Sequence, residues 1–484
     1  MDAVHMSKIV YDANQIDPIG MQYTAEKQDN ETAQSIASNE SEEYEKQGHW
    51  SELPSLPLEK IYSFLSREDQ VNMSLVCLKW SEGYSLPSVW KTFIFDLTES
   101  QLSMDTCPVM KFVQKYGSMF RHVKIYPECT GEKRLIKTWC RHFIAFLQIL
   151  SSTSQLVSVE FRGLSCCLRY IDNPTYVNIC TVIANFLGSQ HHLKRVKFYR
   201  CNFRLNQGVK LLRKLIQNNG KSLTHLVLRG FVRYDPKGKE QNSNFTQILP
   251  TLADLPSLTT LNIDYTLIFE KMVSRQCTAL QTVKSCQTLV LSKIILEYKD
   301  RMIKMEEFRG LTSTDWQLLK MLSPNLQVEL IIGTGSQSRR EMEFFIVPNM
   351  PVSRLEYRYG LLEADELFRH LLACKTNDHL ISLDLLWNYT VQDLVSPFIP
   401  FLPACKKLKY LDISIRYPTN VIDLMEYWLD NRPEYLEKVN INIWNIEDDE
   451  DYTTLKNLTS EYVSRLELIG MNVKVEINYE VTES

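Results

Sequence analysis

At 484 residues, with 44% hydrophobic and 23% charged residues, the chain has the make-up of a globular protein with room for several domains or for a small domain and a repeat array. Its formal net charge of −4 argues against wholesale nucleic-acid binding, and no stretch approaches the ~20 apolar residues of a membrane span. The twelve cysteines show no zinc-like pairing, and adjacent Cys166 and Cys167 form neither a CxxC redox motif nor a zinc knuckle, so reduced thiols without a cofactor or metal are expected.

The opening residues carry acids and polar groups early and lack the apolar core of a signal peptide, which points to the cytosol, the nucleus or both. Residues 1–47 are polar, with an acidic run at Glu40-Ser41-Glu42-Glu43, and read as a flexible tail. A compact apolar block, residues 48–97, follows. Pro54 and Pro57 suit a helix start, where a missing N–H costs little. Leu58, Ile61, Phe64 and Leu65 recur at helical spacing, and Ser66 followed by Glu68 and Asp69 suits a second helix N-terminus. A block this small has too little core to stand alone, so its apolar faces call for a partner.

Within the block stand Leu53-Pro54, Ile61, Phe64-Leu65, Asp69, Val76-Cys77, Trp80 and Trp90, in that order. This order and spacing resembles the F-box. The resemblance implies three short helices, the first two packed on a Skp-family adaptor that bridges to a cullin. It places Leu53, Pro54, Ile61, Leu65 and Val76 against the adaptor, and Phe64, Trp80 and Trp90 in the packing of the F-box itself. Two positions depart from the family pattern. Ser55 stands where an acid is common, and Gln70 replaces a frequent leucine, for an expected loss of about 1 kcal/mol of apolar contact.

Over residues 98–484 a short pattern recurs: apolar, two variable, apolar, one variable, apolar. It appears at Phe120-Val123-Ile125, Leu156-Val159-Phe161, Leu193-Val196-Phe198, Leu223-Leu226-Leu228, Leu258-Leu261-Ile263 and Cys286-Leu289-Leu291. It continues at Val352-Leu355-Tyr357, Leu380-Leu383-Leu385, Leu408-Leu411-Ile413 and Leu436-Val439-Ile441, with starts at 352, 380, 408 and 436, each 28 residues after the last. Leu326-Val328-Leu330 reads as a degenerate copy. Each copy reads as a short strand with alternate residues in a shared core. Helix-like stretches lie between them at Trp139–Leu150, Gly208–Ile216, Trp316–Leu322, Glu366–Leu372 and Ile422–Leu429. Such units cannot bury their own apolar faces and must stack, so the expected fold is α/β: a small all-helical F-box followed by a leucine-rich-repeat solenoid, or horseshoe. Val473–Tyr479 alternates cleanly and reads as a closing strand, whereas the acidic run Glu447–Asp451 reads as an exposed loop.

The variable positions of the strands are expected on the open face of the array. From Asn173 to Tyr234 there is no Asp or Glu, but eleven Lys and Arg, which marks Arg195, Lys197, Tyr199, His225 and Arg229 as candidate contacts for an acidic or phosphorylated target. The alternative is a solvated basic face offset by acids on neighbouring repeats. Catalytic motifs are wanting: Gly333-Thr334-Gly335-Ser336 lacks phosphate-loop spacing, and His191-His192 lacks a metal-ligand partner. The expected role is therefore non-catalytic. What the F-box resemblance implies is the substrate receptor of a Skp–cullin–F-box ubiquitin ligase in proteasomal degradation, with a protein target on the repeats and neither membrane nor nucleic acid as the expected partner. A non-degradative F-box scaffold and a nucleic-acid-binding repeat protein are the alternatives.

Overall fold

The computed structural model describes residues 50–98, 108–128, 133–233, 249–282, 288–299, 309–333, 339–360, 363–391 and 393–479. The tail expected over residues 1–47 and the segment Thr334–Ser336 lie outside them. The chain divides into two compact units, Met1–His192 and Leu193–Ser484.

The first unit opens with three helices, α1 (Ser55–Phe64), α2 (Arg67–Ser74) and α3 (Leu78–Tyr84), and a single turn at Pro87–Trp90. The Ser66 hydroxyl caps α2 by accepting from the Asp69 backbone N–H at 3.2 Å, and it donates to the Asp69 carboxylate at 2.7 Å. Leu58 and Tyr62, one turn apart on α1, face the interior. They meet Gly83 of α3, where an added Cβ would overlap Leu58, so only glycine lets these helices approach so closely.

Strands β1 (Thr92–Thr98), β2 (His122–Glu128) and β3 (Ser158–Arg162) follow, in parallel, with Phe93 opposite Val123 and Val123 opposite Val159. The first strand thus begins inside the range assigned from sequence to the helical block. Helix Lys133–Thr153 supplies the crossover to β3. Its Ile136, Trp139, Phe143, Phe146, Leu147 and Leu150 are buried, at the spacing of one helix face.

The second unit is a solenoid-like stack of ten parallel strands in chain order. They are β4 (Arg195–Tyr199), β5 (His225–Arg229), β6 (Thr260–Asp264), β7 (Lys293–Lys299), β8 (Gln327–Gly333), β9 (Val352–Gly360), β10 (Ser382–Thr390), β11 (Tyr410–Arg416), β12 (Lys438–Ile446) and β13 (Val473–Tyr479). Alternate residues enter the core: Leu383, Leu385 and Trp387 of β10 are fully buried, while Ser382, Asp384 and Leu386 are half-exposed. Helices Leu205–Asn219, Ser313–Leu322, Ala364–Ala373 and Val421–Asp430 join successive strands where helix-like stretches were read. On the first of them Val209, Leu211, Leu212, Leu215 and Ile216 are all buried.

Three expectations are corrected. Around β7 the repeat frame is Leu291-Ile294-Leu296, all buried, and not Cys286-Leu289-Leu291, because Leu289 remains half-exposed. The acidic run Glu447–Asp451 is exposed as expected but only its first two residues are loop: the Asp448 carboxylate accepts from the Glu450 and Asp451 N–H groups and caps helix Asp449–Leu468, which takes in the other three. Acids there meet the positive end of the helix dipole, which favours helix over coil. Cys167 is disulfide-bonded and so departs from the reduced state expected of the cysteines, whereas Cys140, Cys374 and Cys405 are free and buried. The degenerate copy at Leu326-Val328-Leu330 is one residue short. The ladder absorbs the shortfall as a bulge, Val328 pairing with Val352 and Glu329 with Arg354, which leaves Ser353 extra.

Candidate docking surfaces

Arg67 links the helical block to the first strand. Arg67, at the first position of α2, donates to Gln70 Oε1 at 2.6 Å, to the Val89 carbonyl at 3.0 Å and to the Thr92 carbonyl at 2.7 Å. Its guanidinium lies 5.0 Å from the Trp90 ring centroid and 5.3 Å from that of Phe93. Trp90 is buried: its indole donates to the Tyr84 carbonyl at 2.8 Å and its ring stacks on Tyr116 at 4.7 Å. One turn of helix thereby reaches both the end of the block and the first strand.

Gln70 has a role that its reading as a lost leucine contact missed. It is buried, and its amide donates to the carbonyls of Tyr62 at 2.7 Å and Leu65 at 3.3 Å, which closes the C-terminus of α1. It belongs to the internal packing and costs the outer surface nothing. Gln70→Leu is therefore expected to destabilise the chain by about 1–2 kcal/mol in denaturant unfolding, with no gain in partner affinity. A stabilised variant would contradict this role.

The outer surface of the block is unusually apolar. Among the described residues, six of the seventeen exposed large apolar ones fall between Trp50 and Leu78, including Leu56 at 77%, Phe64 at 76%, Val76 at 63% and Leu78 at 78% exposed. Of the residues assigned to an adaptor, Pro54 and Val76 are exposed, and Leu53, Ile61 and Leu65 are half-buried. Phe64 was expected in the internal packing; it instead faces outward, because Leu58 and Tyr62 take the inward face of α1. Trp80 is half-buried and donates to the Trp50 carbonyl at 2.9 Å, which pins the entering chain. Leu56 and Leu78 went unremarked in the sequence, although each adjoins a residue that was singled out or buried.

The second surface is the open face of the stack in the second unit. Arg195 stands opposite His225, Lys197 opposite Val227 and Tyr199 opposite Arg229, so the five candidate target contacts do gather on β4 and β5. Burial, followed by Arg195 and Lys197, holds the His225 imidazole below its ordinary range. Arg229 is drawn into an internal network: it pairs with Glu297 and donates to Asn262 Oδ1 at 3.3 Å. Asp264 accepts from the Gly230 N–H at 2.7 Å, and its carboxyl is pushed up to about 6 by burial. The offset by neighbouring acids therefore holds at Arg229.

Further along, Glu356, Asp384 and Asp412 stand side by side on β9, β10 and β11. Arg354 and Arg358 both engage Glu356, at 3.4 and 2.5 Å, while Asp384 has Arg358 at 4.0 Å. Asp412 accepts from Asn440 at 3.0 Å. Burial, then Glu356 and Asp412, pushes the Asp384 carboxyl up to about 6. Between about pH 4 and pH 6 the folded chain thus keeps a proton that the unfolded chain releases, and this contribution to stability is lost as pH rises. Asp384→Asn is expected to flatten the fall in stability over that window and to add about 1 kcal/mol at pH 7. Urea unfolding at the two ends of the window measures it, and an unchanged slope would contradict it.

Among the described residues no group of three His, Cys, Asp or Glu could hold a metal, and no helix is long and apolar enough to cross a membrane. Cys374 Sγ stands 3.6 Å from His370 Nε2, and burial raises this thiol, the reverse of an activated nucleophile. Both His191 and His192 are exposed in the turn before β4.

A helical block with a closely packed inner face and an apolar outer one, leading into parallel strand–helix units, is the architecture of an F-box followed by leucine-rich-repeat-like units. Residues 50–82 match the F-box domain family, so the chain carries an F-box domain at that place. It is similar to F-box/LRR-repeat protein 21 of Bos taurus, with 22% identity over 416 residues, covering 78% of this chain and 86% of that protein. The Mus musculus protein of the same name is 26% identical over 87 residues, 17% of this chain and 20% of its own length. A solved structure described as the TLR13–ssRNA13 complex overlaps 68% of this chain and 41% of its own, with a TM-score of 0.31 and 13% identity.

Proposed function

We propose that this chain is the substrate-recognition subunit of a Skp–cullin–F-box-type ubiquitin ligase. Its F-box docks a Skp-family adaptor, and its repeats hold a protein target within reach of a ubiquitin-charged enzyme carried elsewhere in the complex. The observation that carries the reading is the concentration of exposed apolar side chains on the F-box helices and the link between two of them, with Leu56, Phe64, Val76 and Leu78 all more than 60% exposed. A patch of this kind on so small a helical block calls for a protein cover. The chain's own part is non-catalytic. It supplies proximity, raising the effective concentration of a target lysine near the activated thioester. Its setting is the cytosol or the nucleus.

Replacing Leu53 and Pro54 with alanine is expected to abolish co-purification of the full chain with the adaptor and cullin, while its thermal melt stays close to that of the parent. Undiminished co-purification would overturn the reading. Targets that accumulate on the doubly substituted chain, and lose ubiquitin in its presence, would separate a receptor from a non-degradative scaffold.

A further inference from the structure

Strand β13 is the outermost of the stack among the described residues, and the core beneath it is incompletely covered. Val475 and Ile477 stand in the rows of Ile441 and Ile443 of β12, which are buried, yet both are only half-buried themselves. Lys474 and Glu476 alternate with them on the open face, beside Asn440 and Asn442, and are exposed. The Asn472 carbonyl accepts from the Val439 N–H at 2.9 Å, so the even-numbered residues at the start of β13 turn their backbone groups to β12. The N–H and C=O groups of Val473, Val475 and Ile477 therefore point to the far edge, where no strand pairs with them among the described residues. An edge of this kind is a template for another strand.

We propose that this edge pairs, antiparallel, with the same edge of a second copy of the chain, about a two-fold axis at Val475. A two-fold axis normal to the sheet imposes antiparallel pairing and keeps the open faces of both copies on one side. Charge selects the register. An axis at Lys474 would set lysine against lysine, and one at Glu476 glutamate against glutamate. An axis at Val475 sets Lys474 of each copy against Glu476 of the other. Lys474 already pairs with Glu476 along its own strand, so charges would then alternate both along and across the strands. In the same register Val473 meets Ile477 and Val475 meets its own copy, which gives both half-buried side chains an apolar cover. These are also the residues whose backbone groups face out, so each opposing pair exchanges two hydrogen bonds. The pairing is independent of the adaptor reading and goes beyond it: a two-fold pair carries two F-boxes and two target faces, which raises avidity for a multivalent target.

Sedimentation velocity of the full chain over about 1–50 μM is expected to show a monomer–dimer equilibrium without larger species, because two-fold pairing uses up the edge. Lys474→Glu and Glu476→Lys each bring like charges face to face and should weaken self-association by about tenfold or more. Both side chains are exposed, so the thermal melt of each variant should stay close to that of the parent. Mixed in equal amounts, the two single variants set glutamates against lysines and are expected to pair with each other about as tightly as the parent pairs with itself. The double variant Lys474→Glu with Glu476→Lys restores the alternation with signs reversed and should self-associate again. A chain that stays monomeric over the whole range, its edge charges serving only to keep strands away, would overturn the proposal. So would larger oligomers, self-association indifferent to the single reversals, or a mixture that fails to recover it. Adaptor capture by these variants is expected to match the parent, so the outcome bears on the pairing alone.

Discussion

Arg67→Ala is expected to destabilise the F-box-bearing unit by about 3 kcal/mol, the largest effect of any single polar substitution in it. The guanidinium serves three acceptors, Gln70 Oε1, the Val89 carbonyl and the Thr92 carbonyl, and lies over the rings of Trp90 and Phe93. Removing it leaves those groups short of a donor in a partly buried place. It also opens the contact between α2 and the start of β1. Arg67→Lys keeps the charge but not the planar fork, and should recover less than half of the loss. Denaturant unfolding followed by tryptophan fluorescence measures both, and a loss under about 0.5 kcal/mol for alanine would show that the clamp contributes little. With the clamp loosened, adaptor binding should persist while the F-box gains freedom relative to β1, so ubiquitin transfer to a target would suffer more than assembly.

Placing glutamates at Val76 and Leu78 together is expected to weaken adaptor binding by more than about a hundredfold, with thermal stability changed by less than about 1 kcal/mol. Both side chains are largely exposed, at 63% and 78%, so the free chain has little to lose by the change. In a complex the same positions would be desolvated, and two unpaired carboxylates there would each cost several kcal/mol. Titration of the purified adaptor onto parent and variant reads the difference directly. Matching affinities would remove this patch from the interface.

The two parts of the chain were legible in the sequence for different reasons. The F-box helices follow from a local order of residues, with Ser66 and Asp69 capping α2 as their spacing suggests. What spacing left open was the rotation of α1. Leu58 with Ile61 and Phe64 makes one helical stripe and Leu58 with Tyr62 another, and Gly83, two helices away, decides for the second. Phe64 was therefore placed inside when it faces out. Arg67 left no trace in the sequence because its carbonyl partners lie 22 and 25 residues on.

In the repeats, strands β9 to β12 follow from the unbroken 28-residue spacing of their leucine frames. Strand β1 escaped notice because Phe93, Phe95 and Leu97 alternate without the leading leucine of the frame, and β7 was misplaced because Leu289 and Leu291 offer two overlapping frames. The outward placement of Arg195, Lys197, Tyr199, His225 and Arg229 was legible because alternation along a strand sets which side chains face out. Their pairing was not, since Glu297 and Asp264 meet Arg229 only through the stacking of repeats more than thirty residues apart. The three-carboxylate row likewise arises from lateral register, which no single repeat displays.

Hydrogen–deuterium exchange of the full chain, with and without a purified Skp-family adaptor, tests the ligase-receptor reading most directly. Adaptor binding is expected to slow exchange across residues 53–80, where the exposed F-box helices lie, and to leave strands β4 to β13 unchanged. Protection confined to the repeats, or none anywhere, would contradict it.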